Sequence, residues 1–349
     1  MTFDFSSFLN TWVCCLLLNW ALGRINQGYD RSRRFRHRFL TFLYWLIIIR
    51  MLVPANFIVG IPSPLSPWMR QADAWLSAPL GHLPLSAYAV LSYIWLFGAV
   101  YSLIIYYVHR EQEKEVARGL IERSRIIPIQ DLVEDYAGPD FTLCLSKDIE
   151  TPFVYGYSSV ILIPDRNYTE DQLFYIVSHE TMHLFNGDAG YCLLVQILTR
   201  VYWWMPGLSS LRKNTSSMIE LRVDGTLMEL YSKADLLGYC ETLIRVSHPD
   251  FNPLVSDMGP ENAYIGNKRM FYPPMTQQDC PASSETVKEN AKNLEVLAFG
   301  EPNTDLETRI HYCLSAHEKP KTPAAYYILA ALVPFLSALC LGMQCFLPF

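Results

Sequence analysis

The sequence has little charge for its length and no cysteine pattern that would bind a metal. Charged residues make up 18% of the 349 residues and hydrophobic residues 51%, whereas average soluble domains carry about 25% charged residues. Something other than water therefore solvates part of the chain. The nine cysteines are odd in number and form no Cys-x-x-Cys pair, so neither a disulfide framework nor a cysteine zinc site is indicated. The net charge of −6 gives no support for direct nucleic-acid binding.

Four apolar runs approach the length of about 20 residues that crosses the hydrocarbon core of a bilayer. They are residues 8–23, 39–60, 87–108 and 324–347. No basic residue precedes the first run and no small-residue cleavage site follows it, so we expect a retained span and not a signal peptide. Arg50 falls near the middle of the second run, where a charge is expected to face the interior of a helix bundle. The sequence thus predicts a three-span region in residues 1–110 and a fourth span near the end.

Basic residues are concentrated in the connections that follow the first and third predicted spans. Residues 24–38 carry six arginines, and residues 109–125 carry four arginines and a lysine. Residues 61–86 contain a single arginine. Because short cytoplasmic loops carry such an excess of basic residues, we expect both termini outside the cell and residues 111–320 in the cytoplasm.

Residues 179–183, HETMH, form the HExxH pattern of zinc hydrolases. Two histidines four residues apart project from the same face of a helix and can bind one ion. The glutamate between them lies beside the ion, where a carboxylate can take a proton from metal-bound water. The pattern therefore predicts His179 and His183 as ligands of Zn²⁺ and Glu180 as the catalytic base.

A second pair of side chains four residues apart, Glu220 and Asp224, follows within residues 216–230. Glu220 is the predicted third zinc ligand. Asp224 is predicted to accept a hydrogen bond from the other ring nitrogen of a ligand histidine, as outer carboxylates commonly do. Both segments can share one ion only if the apolar run 191–205 between them does not cross the membrane, so we expect a buried or membrane-skimming helix there. Together the residues predict an HExxH…ExxxD zinc metalloendopeptidase.

Val160, Ile161 and Leu162 open a short apolar run before the motif, which indicates a strand. Two interpretations are open: an ordinary core strand, or a sheet edge against which an extended peptide substrate adds. Residues 248–292 are poor in aliphatic side chains and rich in Pro, Asn, Asp and Ser. They predict a long loop within the domain at 111–320.

Several separated segments resemble the BlaR/MecR family of membrane zinc metallopeptidases. They are RMLVP at 50–54, IWLFGAVYSLIIYY at 94–107, TPFVYGYSSVILIP at 151–164, WWMP at 203–206 and ELRVD at 220–224. HETMHLFNGD is similar to the family's HELxHxxRxD pattern at His179, Glu180, His183 and Asp188. The resemblance implies that Asp188, like Asp224, orients a metal ligand without binding the metal itself.

The resemblance also implies the fold and the setting. We expect an α+β fold, with a mainly helical zincin-like (gluzincin) domain inserted between the third and fourth of four transmembrane helices in a bacterial cell membrane. The implied function is regulated proteolysis, with a transcriptional repressor or the protein itself as substrate. The antibiotic receptors of the family continue into a penicillin-binding sensor domain, whereas this chain ends at Phe349. We therefore expect no such sensor domain and no β-lactam binding.

Two other functions fit parts of the pattern. One is a membrane quality-control zinc protease that degrades many misfolded proteins. The other is a non-catalytic signalling receptor with a structural zinc site. Structural zinc sites fill all four positions with protein ligands, and Asp224 is the candidate for the fourth position here.

Overall fold

The computed structural model describes residues 5–27, 36–54, 66–81, 85–128, 141–155, 160–248 and 306–314. The helices are α1 (Phe5–Gln27), α2 (Arg36–Leu52), α3 (Ser66–Ser77), α4 (Ala87–Arg123), α5 (Glu170–Asn186), α6 (Asp188–Val201), α7 (Leu208–Leu230), α8 (Lys233–Ser247) and α9 (Leu306–Leu314). The strands are β1 (Arg125–Pro128), β2 (Thr142–Ser146), β3 (Phe153–Tyr155) and β4 (Val160–Pro164). The described chain is thus mainly helical with one small sheet, which confirms the predicted α+β class. Nearly all of the predicted loop at 248–292 and the predicted fourth span lie outside the described residues.

The chain divides into two compact units. One comprises Met1–Tyr107, Leu194–Met218 and Pro320–Phe349, and the other comprises Val108–Leu193 and Ile219–Lys319. In the first unit, α1 packs against α2 and α3. The amide of Asn19, inside the first apolar run, donates to the hydroxyl of Ser210 at 2.7 Å. This bond satisfies a polar group that would be costly to leave unpaired in an apolar setting.

In the part of the chain that the structure describes, one helix, α4, is long and apolar enough to cross a membrane. Its apolar part carries Tyr93, Phe97 and Tyr101, each at least 60% exposed, which suits contact with lipid. The first two predicted spans contain shorter apolar helical stretches, Thr11–Gly23 and Thr41–Leu52. The arrangement with four spans therefore stays a prediction.

Arg50 lies in the last turn of α2 and is buried, at 5% exposure. Its place within a membrane span stays a prediction. Helix α2 ends at Leu52, because Pro54 disfavours helical geometry at Val53. The Nη1 atom of Arg50 donates to the carbonyl oxygen of Val53 at 3.2 Å. The buried guanidinium thus satisfies a carbonyl at the helix C-terminus, a position that favours a cation.

The apolar run at 191–205 is mostly helix α6. Its 14 residues extend about 21 Å at 1.5 Å per residue, which is short of the ~30 Å hydrocarbon core. The run therefore has the length of a packed helix, as expected. Trp203 and Trp204, just after the helix, are 46% and 40% exposed.

The second unit contains the sheet, with strand order β1-β2-β4-β3. Strands β2 and β4 pair in parallel, whereas β1 and β3 pair antiparallel at the two outer positions. All five residues of β4 are buried. A parallel strand covered on both faces reads as a continuous apolar run, and this accounts for the sequence VILIP.

Each face of the sheet packs against a different helix. Leu143, Leu145, Ile161 and Ile163 form one buried cluster with residues of α5, including Ile176. The alternate side chains face the other way. Cys144, Val160 and Leu162 cluster with Ala117 and Leu120 near the end of α4. The sheet therefore fixes α5, which carries the HExxH motif, against a covered core.

Both ends of α5 are specified by the sequence. Thr169 caps the N-terminus, and its side chain and that of Gln172 form a reciprocal capping box. Gly187 ends the helix with φ 66° and ψ 33°, a left-handed conformation that glycine adopts readily. The turn allows α6 to begin at once, at Asp188. The first residue of α6 can therefore return to the histidine at the end of α5.

Candidate metal centre

The three predicted ligands, two from α5 and one from α7, lie together in the second unit. One donor atom from each of His179, His183 and Glu220 falls within 4.8 Å of the other two. The Nε2 atoms of the two histidines are 3.1 Å apart. The Glu220 carboxylate oxygens lie 3.3 Å from Nε2 of His179 and 3.6 Å from Nε2 of His183.

The outer nitrogen of His183 faces a buried carboxylate. Its Nδ1 atom lies 2.8 Å from Oδ2 of Asp188, a residue with no exposed surface. An ionised carboxylate only accepts hydrogen bonds, so Nδ1 carries the proton and donates. Arg222, from α7, donates to the other oxygen of Asp188. The ring of His183 is thereby fixed in the tautomer that leaves a lone pair on Nε2.

The outer nitrogen of His179 faces a tyrosine, which differs from the predicted direct bond to Asp224. The distance from Nδ1 of His179 to Oδ1 of Asp224 is 3.6 Å, too long for a hydrogen bond. The hydroxyl of Tyr239, on α8, lies between them, 2.8 Å from Nδ1 of His179, and donates to Oδ1 of Asp224. Because that hydroxyl proton is used, its oxygen accepts from the His179 Nδ1–H. The lone pair of His179 is therefore also on Nε2.

These tautomers explain why the cluster fits a cation. Neither Nε2 atom carries a proton, so the two nitrogens cannot bond to each other despite their separation of 3.1 Å. Two lone pairs and a carboxylate then converge on one point. Two histidines and one glutamate form a known donor set of catalytic zinc. The residues thus fit a metal ion, with Nε2 of each histidine and Glu220 as its ligands.

Glu180 is buried beside the two histidines, at 7% exposure. Burial raises the pKa of its carboxyl above the usual range, and the negative charge of Glu220 adds to this, while the neighbouring histidines and the Arg309 guanidinium oppose it. A raised pKa lies closer to physiological pH, and a general base transfers protons most efficiently when its pKa is near the working pH. The residue is therefore suited to accept and return a proton.

Arg309, on α9, binds both acidic side chains of α7. Its Nε and Nη2 atoms hold the two oxygens of Asp224 at 2.8 and 2.9 Å, and its Nη1 atom lies 2.8 Å from Oε2 of Glu220. Burial alone would raise the pKa of the Glu220 carboxyl, but Arg309 and His183 more than reverse this and hold the pKa well below its usual range. Glu220 is therefore an ionised ligand.

Asp224 is committed to other partners and does not offer itself as a fourth metal ligand. Its two oxygens accept from Arg309 and Tyr239. The cluster of potential ligands in the described residues comprises His179, His183 and Glu220, without Asp224. Three protein ligands are the number found in catalytic zinc sites, where the remaining position takes water or substrate.

Three residues of the site, Tyr239, Arg309 and Arg222, were not predicted from the sequence. Tyr239 carried no local signal, because it lies 60 residues after His179 in an ordinary amphipathic helix. Arg309 did carry one. In the sequence LETRIHYCL it occupies the stripe of Leu306, Ile310 and Cys313, and a charge on an apolar stripe indicates a buried partner.

Of the two interpretations left open for Val160, Ile161 and Leu162, the pairing of β4 supports the core strand and not the substrate-binding edge. Val160, Ile161 and Leu162 pair with β2 on one side and with β3 on the other. An interior strand has no free backbone groups to receive a peptide, so a substrate cannot add to β4. Strand β3 is the outer strand on this side and, within the described residues, pairs only with β4. It also contacts the motif helix α5.

A mainly helical domain that presents two histidines, a glutamate ligand and a buried glutamate is typical of metallopeptidases. Residues 40–256 match the family described as BlaR1 peptidase M56, which is more than half of the 349 residues. The chain therefore belongs to the BlaR1 peptidase M56 family, as the resemblance predicted. This family indicates a membrane-associated metallopeptidase. A comparison with curated proteins returned no match.

Proposed function

We propose that this chain is a membrane-embedded zinc endopeptidase, with His179, His183 and Glu220 as ligands and Glu180 as the catalytic base. The observation that carries the proposal is the pair of Nε2 lone pairs, 3.1 Å apart, that Asp188 and the hydroxyl of Tyr239 impose. A merely structural pair of buried histidines would be expected to share a proton. Here both protons are fixed on the outer nitrogens, so both Nε2 atoms are left as donors of a lone pair to a metal ion.

The chemistry follows from the arrangement of the side chains. A zinc ion held by these ligands supplies Lewis acidity toward water and a peptide carbonyl. The carboxylate of Glu180 takes the proton of the attacking water and returns it to the leaving amine. Burial excludes competing water and strengthens each electrostatic interaction of the site. The low pKa of Glu220 keeps that ligand anionic while Glu180 is protonated.

The substrate class is proposed to be an extended polypeptide. The outer strand β3 offers backbone groups to a peptide that adds as a further strand, and such pairing is largely independent of sequence. Phe153 and Val154 are buried in the sheet, so the edge is held firmly. Access through an edge strand favours cleavage within a chain over removal of single terminal residues.

The setting is proposed from the distribution of basic residues and from the family. The peptidase site faces the cytoplasm, where it performs regulated proteolysis. The substrate is a transcriptional repressor, the protein itself, or both.

The test uses the full-length chain purified in detergent. Zinc content is measured by mass spectrometry. Hydrolysis is followed with an unfolded protein substrate that carries a fluorescent label. The wild type is expected to hold one zinc per chain and to cleave. His183→Ala should lose the zinc, whereas Glu180→Gln should keep it and lose at least 100-fold in rate, the lower end for a general base.

The matched control is Glu229→Gln, an exposed glutamate on α7, which should retain both zinc and rate. Full activity in Glu180→Gln would contradict the catalytic assignment. Equal zinc content in wild type and His183→Ala would contradict the metal site itself. Zinc bound without hydrolysis of any peptide in the wild type would favour a structural site.

A further inference from the structure

Arg309 contacts both acids of the metal centre from a helix outside the matched family segment. Its side chain uses three nitrogens for three different oxygen atoms: Nε and Nη2 for Asp224, and Nη1 for Glu220. Both carboxylates lie on α7, one turn apart. A planar guanidinium presents its donors in a fixed fork, so one side chain sets the orientation of both acids at once.

The contact with Glu220 selects one of its two oxygens. Nη1 of Arg309 lies 2.8 Å from Oε2, while Oε1 is 3.6 Å from Nε2 of His183. A carboxylate held by one oxygen cannot swing freely about its terminal torsion. Arg309 therefore fixes the direction of the carboxylate, whose two oxygens lie 3.3 and 3.6 Å from Nε2 of His179 and of His183.

The contact with Asp224 continues to the second ligand. Asp224 accepts from Arg309 and from the hydroxyl of Tyr239, and that hydroxyl accepts from the ring of His179. Because the Asp224 carboxylate only accepts, the Tyr239 hydroxyl donates to it and accepts from the ring, so the series has a single polarity. Arg309 holds that carboxylate in place and is thereby linked to the orientation of His179.

We propose that Arg309 is a positioning residue of the metal centre, which orients Glu220 directly and His179 through Asp224 and Tyr239. The inference rests on the proposed function, because it assumes that these side chains hold a metal. Two of three ligands then depend on one arginine, and α9 is part of the metal centre. The alternative role of Arg309 is to neutralise two buried acids without directing them.

Lysine separates the two roles. Arg309→Lys keeps the positive charge, yet a single ammonium cannot hold both oxygens of Asp224 and Oε2 of Glu220 in the fork geometry. Zinc affinity is measured by competition with a chromophoric chelator, and cobalt(II) is bound as a spectroscopic probe. If Arg309 positions the ligands, zinc binding weakens about 10- to 100-fold, as for other groups that orient metal ligands. The visible absorption of the cobalt protein should also change.

The control is Arg245→Lys on α8, whose guanidinium donates to the carbonyl of Asn167 and lies at the surface. It should leave the zinc affinity and the cobalt spectrum unchanged. Wild-type affinity and an unchanged cobalt spectrum in Arg309→Lys would overturn the inference, since charge alone would then suffice. Absence of zinc from the wild type would instead contradict the proposed function.

A second variant covers the case in which Arg309→Lys does not fold. Asp224→Asn/Arg309→Gln removes one acid together with the arginine, which is less destabilising than removing Arg309 alone and leaving both buried acids charged. Circular dichroism establishes that this protein is folded. The inference predicts zinc binding at least tenfold weaker than in the wild type. Affinity within twofold of the wild type would overturn it.

Discussion

The hydroxyl of Tyr239 lies 2.8 Å from Nδ1 of His179, so this ligand is oriented by a tyrosine where its companion His183 is oriented by a carboxylate. The two rings are therefore held unequally. A carboxylate raises the basicity of the ligand that it faces, whereas a neutral hydroxyl does so less. His183 is expected to be the stronger donor of the pair.

Tyr239→Phe removes the hydroxyl and leaves the ring of Tyr239 in place. His179 then loses its acceptor, and either tautomer becomes accessible, so zinc affinity should fall about tenfold, the lower end for residues that support a ligand. Tyr231→Phe is the matched control, because its ring lies 5.8 Å from that of Tyr239 in the same aromatic cluster. Chelator competition measures both. Equal zinc affinity in Tyr239→Phe and Tyr231→Phe would show that the hydroxyl of Tyr239 does not support His179 as a metal ligand.

Sequence was sufficient for the ligands because they come in pairs on regular helices. The spacing of four residues places His179 beside His183 on α5, and it places Glu220 one turn from Asp224 on α7. Neither pairing depends on how the helices later pack. The fold class followed from the resemblance of several separated segments to a known family, and the run VILIP added a local signal for a strand.

Features that depend on packing between distant segments escaped prediction. Arg309 reaches Asp224 across 85 residues, and no local pattern specifies which acid it will meet. The hydrogen bond predicted between Asp224 and a ligand histidine is not direct, because α8 inserts the hydroxyl of Tyr239 between Asp224 and His179. The position of Val160 inside the sheet became known only with its pairing partners. Its wholly apolar run was compatible with an interior strand, but the sequence alone left that interpretation and a substrate-binding edge both open.

Gly187 and Gly119 should respond in opposite directions to alanine. Gly187 has φ 66°, and nothing lies within 4 Å of an added Cβ, so the cost is conformational, about 1–2 kcal/mol. Gly119 lies within helix α4, where alanine is favoured by roughly 0.5–1 kcal/mol. Thermal melting of the purified protein should therefore show a lower midpoint for Gly187→Ala and a higher midpoint for Gly119→Ala. A shift of the same sign in both would contradict the left-handed end of α5.

The membrane orientation can be tested with Cys280, which lies outside the described residues but inside the predicted cytoplasmic domain. Residues 24–38 and 109–125 carry the basic excess that is retained on the cytoplasmic side. An impermeant thiol reagent applied to intact cells should therefore leave Cys280 unmodified, and permeabilised cells should show modification. A cysteine introduced in the loop 61–86 is the positive control, since it should react in intact cells. Labelling of Cys280 in intact cells would reverse the assigned topology.

The substrate that meets the site most often is expected to be the chain itself. The segment from 249 to 305 joins α8 to α9, and these helices carry Tyr239 and Arg309 of the metal centre. Its two ends are therefore anchored beside the active site. Tethering gives an effective concentration of roughly millimolar where a linker can reach, so a poor cleavage sequence in the predicted loop at 248–292 can compete with a free protein.

We expect slow self-cleavage within residues 248–292, with the cut segment extended along the outer strand β3. Wild-type and Glu180→Gln protein would be incubated with zinc, and their fragments mapped by mass spectrometry. Fragments ending within 248–292 should accumulate in the wild type alone, at a rate independent of protein concentration because the reaction is intramolecular. Mixing Glu180→Gln with active wild type reveals any cleavage between molecules. An intact wild-type chain would count against self-cleavage, and identical fragments in both proteins would show that another protease made the cut.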